Sequence, residues 1–150
     1  MGDPEAVLAA NDAFYRALEA LDIRLMRRAW AQRPEDICTH PGWETLHGWP
    51  EIEASWTAIF ANTGYMRFQA SDVSVEVLGD VGRVTCVENI YSVIGNEAIH
   101  SRVASTNLFL RTRERESDAW KLVLHHGSPI ASADDDDEDD EDASEDDAIN

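Results

Sequence analysis

The spacing of apolar residues changes once along this chain, near residue 66, and this change limits the folds that the chain can adopt. Before that point apolar residues recur every three or four positions, as on one face of a helix. After it they alternate with polar residues as far as Ser128, as in strands with one buried face. Helices followed by consecutive strands predict an α+β fold, with helices packed on one face of an antiparallel sheet.

Three helices are predicted in the first part of the chain. The residues at 3–5, Asp-Pro-Glu, are typical of a helix start, and the apolar stripe that follows includes Phe14. A shorter helix is expected after Asp22, and a third, containing Trp56, after Gly48. Between the second and third helices, residues 37–40 read as a short strand that Pro41 and Gly42 end.

Four strands are predicted in the second part, separated by turns that contain Gly or acidic residues. Alternation places Glu88 on the same, otherwise apolar face as Val84 and Cys86. By the same rule His126 faces inward with Trp120, and His125 faces outward. The strands are expected at residues 66–78, 84–94, 98–111 and 120–126.

Acidic residues are concentrated at the end of the chain. Of thirty Asp and Glu residues, twelve lie between Asp134 and Asp147, so the rest of the chain carries eighteen against twelve Lys and Arg. We therefore expect one domain at residues 1–132 and a disordered acidic tail at 133–150. The tail either binds cationic partners or autoinhibits, or it simply keeps the protein in solution. The acidic domain repels a phosphate backbone, so nucleic-acid binding is not expected.

The cysteines and the N-terminal residues indicate where the protein resides. Cys38 and Cys86 lie in apolar runs without a CxxC spacing, which favours buried free thiols in a reducing compartment over a disulfide. The first ten residues carry acids where a secretory signal is basic and apolar, and no apolar stretch is long enough to span a bilayer. The sequence predicts a cytoplasmic protein without membrane contact.

Two side chains are the candidate catalytic residues. His40 ends a predicted strand and can act as base, acid or ligand near neutral pH, or it can order the turn by bonding a loop carbonyl. Glu88 on an apolar face is typical of a pocket acid with a raised pKa. Alternatively, Glu88 reaches water at the strand end or pairs with Arg102 across the sheet.

The remaining residue patterns favour an aromatic ligand pocket over metal or nucleophilic chemistry. No HxH, HxxxH or HExxH spacing, no GxSxG motif and no Gly-rich phosphate loop is present, so neither a metal nor another cofactor is expected. Five tryptophans suit a flat apolar ligand, although Trp30 and Trp56 also fit a plain core. The candidate pocket residues are Phe14, Tyr15, Trp43, Trp56, Asn107 and His126.

Two segments resemble known families. His40-Pro41-Gly42, then Leu46-x-Gly48 and the third helix, resemble the SnoaL-like branch of the nuclear transport factor 2 superfamily. The segment WKLVLHHGSP at 120–129 is similar to the end of the association domain of calcium/calmodulin-dependent protein kinase II and its bacterial relatives. The resemblance covers about residues 5–130 and implies a cone with a deep pocket, and a homodimer formed through the sheets. Contact is expected at Val87, Tyr91, Val103 and Phe109.

The resemblance also bears on activity. Ketosteroid isomerase, another member, has a catalytic Asp-Pro where this chain has His40-Pro41. It also uses a tyrosine of the first helix and a protonated aspartate of a late strand, and here Phe14, next to Tyr15, and Thr106 or Asn107 match those positions. The leading hypothesis is a protein that binds a small, partly apolar molecule, with His40 and Glu88 transferring protons as in isomerases or cyclases. The alternative is a non-catalytic, homo-oligomerising association module.

Overall fold

The computed structural model describes residues 2–131 and contains three helices and six strands in that range. The acidic tail predicted at 133–150 lies outside the described residues. The helices are α1 (Asp3–Ala20), α2 (Ile23–Ala29) and α3 (Trp49–Asn62). The strands are β1 (Ile37–Thr39), β2 (Leu46–His47), β3 (Tyr65–Leu78), β4 (Val81–Ile94), β5 (Glu97–Glu114) and β6 (Ser117–Ile130).

The six strands form one curved sheet in the order β2-β1-β6-β5-β4-β3, and the three N-terminal helices pack on it. The predicted α+β class is therefore confirmed. Strands β3 to β6 form an antiparallel meander, whereas β1 pairs with β6 in parallel, so the sheet is mixed. Of the helices within residues 2–131, none is long and apolar enough to cross a membrane.

Helix α1 lies across the sheet and supplies both apolar and polar side chains to the interior. Its apolar stripe buries Val7, Phe14 and Leu18, as the periodicity predicts. Asn11 and Tyr15 are also buried, and they lie four residues apart, one above the other on the same helix face. The helix therefore presents two hydrogen-bonding groups to the sheet beneath it.

A β-bulge in β6 decides which of the two adjacent histidines faces the interior. Leu108 of β5 is opposite Leu124, but the next residue, Phe109, is opposite Leu122, so Val123 is an extra residue. The extra residue shifts the alternation by one position. His125 is consequently buried and His126 is exposed, and the prediction that His126 faces inward is wrong.

The two-residue turn between β4 and β5 decides which face of β5 is buried. Its register pairs even-numbered residues of β4 with odd-numbered residues of β5, so Val103 is opposite Glu88. Val103 and Phe109 therefore point toward the helices and are buried, and the prediction that they form an outer contact surface is wrong. Val87 and Tyr91 lie on the outer face, as predicted.

Candidate functional site

Glu88 is the centre of a polar cluster between α1 and the sheet. Only 3% of its surface is exposed, and the Tyr15 hydroxyl donates a 2.7 Å hydrogen bond to its Oε2. Tyr15 Oη also lies 3.3 Å from Cys86 Sγ and 3.5 Å from Ser105 Oγ. Arg102 is exposed and opposite Asn89, on the other face of the sheet, so it does not pair with Glu88.

Burial places the proton affinity of Glu88 in the range that acid-base chemistry needs. Burial raises the pKa of Glu88 to about 7, while the hydrogen bonds from Tyr15 and Ser105 act in the opposite direction. A carboxyl group with such a pKa is present in both protonation states near neutral pH. It can therefore accept a proton and return it within one reaction cycle.

Asn107 links His125 to Tyr15 and thus to Glu88. Its Nδ2 donates to Asn11 Oδ1 at 2.8 Å and to Tyr15 Oη at 3.1 Å. Its Oδ1 accepts from His125 Nδ1 at 2.6 Å, because the amide nitrogen is already a donor to two oxygens. Burial, together with His40 and His126, lowers the pKa of His125 to about 3, so the ring is neutral. The hydrogen bonds run in one direction, from His125 through Asn107 and Tyr15 to Glu88.

His40 follows β1 directly and is held by α3. The Ser55 hydroxyl donates to the Ile52 carbonyl at 2.7 Å, so at 2.8 Å it accepts from His40 Nε2. His40 Nδ1 then keeps its lone pair and lies 3.9 Å from Cys38 Sγ. Burial lowers the pKa of His40 to about 4, so this imidazole is neutral at neutral pH. Of the two predicted catalytic residues, Glu88 is the stronger base.

Aromatic rings occupy the interior beside this cluster, where the ligand pocket is predicted. The Phe14 ring centroid lies 5.9 Å from that of Trp56 and 5.0 Å from that of His125. The Trp56 ring meets His40 edge-on, at 4.5 Å between centroids. Phe14 and Trp56 are thus packed core residues, whereas Trp43 is 46% exposed and covers His40 from outside.

An open groove of about 340 Å³ lies next to the cluster, between α1 and β3. Asn11 and Tyr15 belong both to this groove and to the buried hydrogen-bond chain. Among the strands within residues 2–131, β3 lies at the edge of the sheet, and none of them covers this side. The groove is lined by Leu8, Asn11, Asp12, Tyr15, Arg16, Phe68, Gln69, Ala70 and Val73.

The structure brings together most, but not all, of the predicted site residues. Glu88, Tyr15 and Asn107 are hydrogen-bonded to one another directly or in sequence, while Trp43 and His126 lie outside the interior. Sequence reasoning missed four polar members. The missed residues are Asn11, Ser55, Ser105 and His125. Asn11 and Ser105 carried a usable signal, because they share a face with Tyr15 and Asn107, respectively.

Metal binding has no support from the side chains at the site. Within residues 2–131, no group of three His, Cys, Asp or Glu side chains is arranged to hold a metal ion. Cys38 and Cys86 are free, buried thiols, and burial raises the pKa of both, so neither is a ready thiolate ligand. The groups that the cluster does offer are hydrogen-bond donors and acceptors and the carboxyl group of Glu88.

Comparison with known proteins gives a family and several similar structures. The profile of the SnoaL-like domain matches residues 7–132. A protein of Streptomyces avermitilis, described as a candidate dehydratase of the nuclear transport factor 2-like family, is 40% identical; the alignment covers 87% of this chain and 97% of that one, with a TM-score of 0.79. No curated protein matches the chain.

Two further structures belong to association domains of calcium/calmodulin-dependent protein kinase II. A candidate domain of this type from Thiobacillus denitrificans is 32% identical, covering 82% of this chain and 94% of that one, with a TM-score of 0.67. The kinase hub of S. rosetta is 21% identical over 87% of this chain and 98% of the hub, with a TM-score of 0.68. The hub likeness concerns the fold alone.

Proposed function

Because the chain belongs to the SnoaL-like domain family, we propose that it binds a small, partly apolar carbonyl compound and catalyses proton transfer at the carbon next to the carbonyl group. The observation that carries this proposal is the buried Glu88, whose pKa lies near 7 and whose carboxylate accepts a hydrogen bond from Tyr15. A strongly perturbed carboxyl group in a partly apolar site is typical of an acid-base catalyst. The candidate dehydratase of Streptomyces avermitilis supports a reaction of this class.

In the proposed reaction, the proton on the carbon next to the carbonyl group passes to the Glu88 carboxylate through the Tyr15 hydroxyl, which gives its own proton to Oε2 as it takes up the one from carbon. The electron pair of the broken C–H bond moves into the carbonyl group and forms an enolate. A proton then returns from Glu88 to carbon by the same route. If the carboxyl group has first exchanged its proton with solvent, the net change is hydrogen exchange; if the proton goes to a conjugated carbon, the net change is isomerisation. Tyr15 holds the carboxylate in place and is itself held by a hydrogen bond from Asn107. His40 is neutral, is bonded to Ser55 and takes up no proton in this reaction.

Deuterium exchange tests this proposal without knowledge of the natural substrate. α-Tetralone is a flat, partly apolar ketone with exchangeable hydrogens beside its carbonyl group. We expect the protein to catalyse their replacement in D₂O, and Glu88→Gln to slow exchange by about 100-fold or more, since glutamine cannot take up the proton. Glu97→Gln, at an exposed position on β5, is the matched control and should exchange as the unchanged protein does. Exchange that survives in Glu88→Gln contradicts the proposal.

A second candidate function is self-association, favoured by the outer face of the sheet. Tyr65 and Tyr91 are 52% and 44% exposed there, and the Tyr91 ring stacks on His100 at 4.5 Å. Exposed aromatic residues on a sheet face favour a protein partner. We therefore propose a homodimer through this face, which the association-domain relative supports. The free buried cysteines support a cytoplasmic location.

Light scattering distinguishes the two functions. If the unchanged protein is a dimer that catalyses deuterium exchange on α-tetralone, and Tyr91→Glu dissociates it, the protein is a catalytic dimer. A ring larger than a dimer, without any response to the ketone, supports a non-catalytic association module instead. Glu97→Gln again serves as a surface control that should leave the mass unchanged.

A further inference from the structure

We propose that the groove between α1 and β3 is the ligand-binding site, and that it takes a small, partly apolar molecule through one acceptor oxygen. The ligand class rests on the proposed function, but the location does not follow from it. The interior between Phe14, Trp56 and His125 is occupied by rings in contact, whereas the groove offers about 340 Å³. That volume is within the usual range of small-molecule sites.

The amide of Asn11 supplies the polar contact in this groove. Its Oδ1 accepts a hydrogen bond from Asn107, but its Nδ2 donates to no group among residues 2–131. Within the same range, two side-chain nitrogens are both fully buried and without a partner, the indole nitrogens of Trp30 and Trp56. Asn11 Nδ2 is not among them, so it is not fully buried. Asn11 Nδ2 therefore reaches open space, and the groove is the space that Asn11 lines. An amide N–H that reaches the groove pairs with an acceptor such as a carbonyl or hydroxyl oxygen.

A bulge in β3 shapes the opposite wall. The pairing of β3 with β4 is interrupted between Ser71 and Ser74, and Asp72 has a φ of 50°. The bulge leaves the Val73 side chain 46% exposed above the groove, where buried Phe68 continues the apolar wall. A ligand in the groove covers Val73 and Phe68, and binding therefore buries apolar surface of both the ligand and the protein.

Tyr15 connects the groove to Glu88. Its ring forms part of the groove wall and packs on Phe68 at 5.0 Å, while its hydroxyl bonds Glu88. A molecule in the groove is therefore one side chain away from the carboxylate. Asn107 Nδ2 bonds both Asn11 and Tyr15, so a change at Asn11 also reaches Glu88 through hydrogen bonds.

Two exposed valines provide a matched test by NMR on the ¹⁵N-labelled full chain. We expect α-tetralone to shift the side-chain amide signal of Asn11 more than tetralin, which lacks the oxygen. Val73→Trp fills the groove and should weaken α-tetralone binding by about tenfold or more, whereas Val81→Trp, at the start of β4 and 39% exposed, should leave it unchanged. Asn11→Asp keeps the acceptor for Asn107 and removes the donor, so the preference for α-tetralone over tetralin should disappear.

The outcomes separate the binding site from the reaction. Equal binding to Val73→Trp and the unchanged protein, an unmoved Asn11 signal, or no binding at all overturns the groove assignment. If deuterium exchange depends on Glu88 but is unaffected in Val73→Trp, the groove assignment fails while the proposed reaction stands. If α-tetralone binds in the groove but no exchange occurs, the groove assignment stands and the reaction fails.

Discussion

The hydrogen bond from Tyr15 lowers the pKa of Glu88, which burial would otherwise raise further, and Tyr15→Phe tests this directly. The hydroxyl lies 2.7 Å from Glu88 Oε2, and both residues are almost fully buried. Phenylalanine keeps the ring and removes the donor, so the ionised carboxylate loses its main partner while the packing remains. Because a hydrogen bond to the charged form favours ionisation, its loss should raise the pKa of Glu88.

The size of the effect follows from the strength of such a bond. A hydrogen bond to a charged group contributes about 1.5–3 kcal/mol, and one pKa unit corresponds to about 1.36 kcal/mol. Tyr15→Phe should therefore raise the pKa of Glu88 by about 1–2 units from its value of about 7. Ser105, which also lowers this pKa, remains in the variant and keeps the increase toward the lower end.

The assay is a titration of the Glu88 carboxyl carbon by ¹³C NMR, with the signal assigned by its absence in Glu88→Gln. Tyr65→Phe removes a hydroxyl from an exposed tyrosine on the outer face and should leave the titration unchanged. A pKa in Tyr15→Phe that equals or falls below that of the unchanged protein would refute the reasoning. It would mean that the hydroxyl does not stabilise the carboxylate.

Two further predictions concern stability. The folded-state pKa of Glu88 is raised from 4.5 to about 7, so its contribution to stability is complete below pH 4.5 and is lost as the pH rises through 7. Measured by urea unfolding, the free energy of unfolding of the unchanged protein should fall by about 3 kcal/mol relative to that of Glu88→Gln between pH 4.5 and 8. A difference between the two proteins that stays constant over this pH range contradicts the prediction. Ser55→Ala leaves the buried His40 Nε2 without its acceptor and should cost about 1–3 kcal/mol, whereas Thr57→Ala on the exposed side of α3 should cost less. Equal unfolding midpoints for these two variants would show that the Ser55 hydrogen bond contributes no stability.

Much of the fold was predictable because hydrophobic periodicity is local. The stripe containing Val7, Phe14 and Leu18 marks the buried face of α1 from four-residue spacing alone. Strand alternation likewise placed Glu88 on the buried face of β4. Asn11 was open to the same reasoning, since it lies one turn before Tyr15 on the same face of α1.

The candidate site was predictable only in part, because register is set by contacts between strands. Alternation cannot reveal the extra residue Val123, which turns His125 inward and His126 outward. Nor does it show which residues of β5 are opposite those of β4, so Val103 and Phe109 were assigned to the wrong face. Each error follows from one residue of offset, which reverses every side chain beyond it.

The sequence alone determined the order of helices and strands and the presence of a carboxyl group on a buried strand face. Both depend on residues that are neighbours along the chain. Only the tertiary structure decided that Tyr15, Asn107 and His125 form a hydrogen-bond chain to Glu88, and that an open groove lies between α1 and β3. These groups are separated by 18 to 92 positions in the chain, and packing brings them within hydrogen-bonding distance.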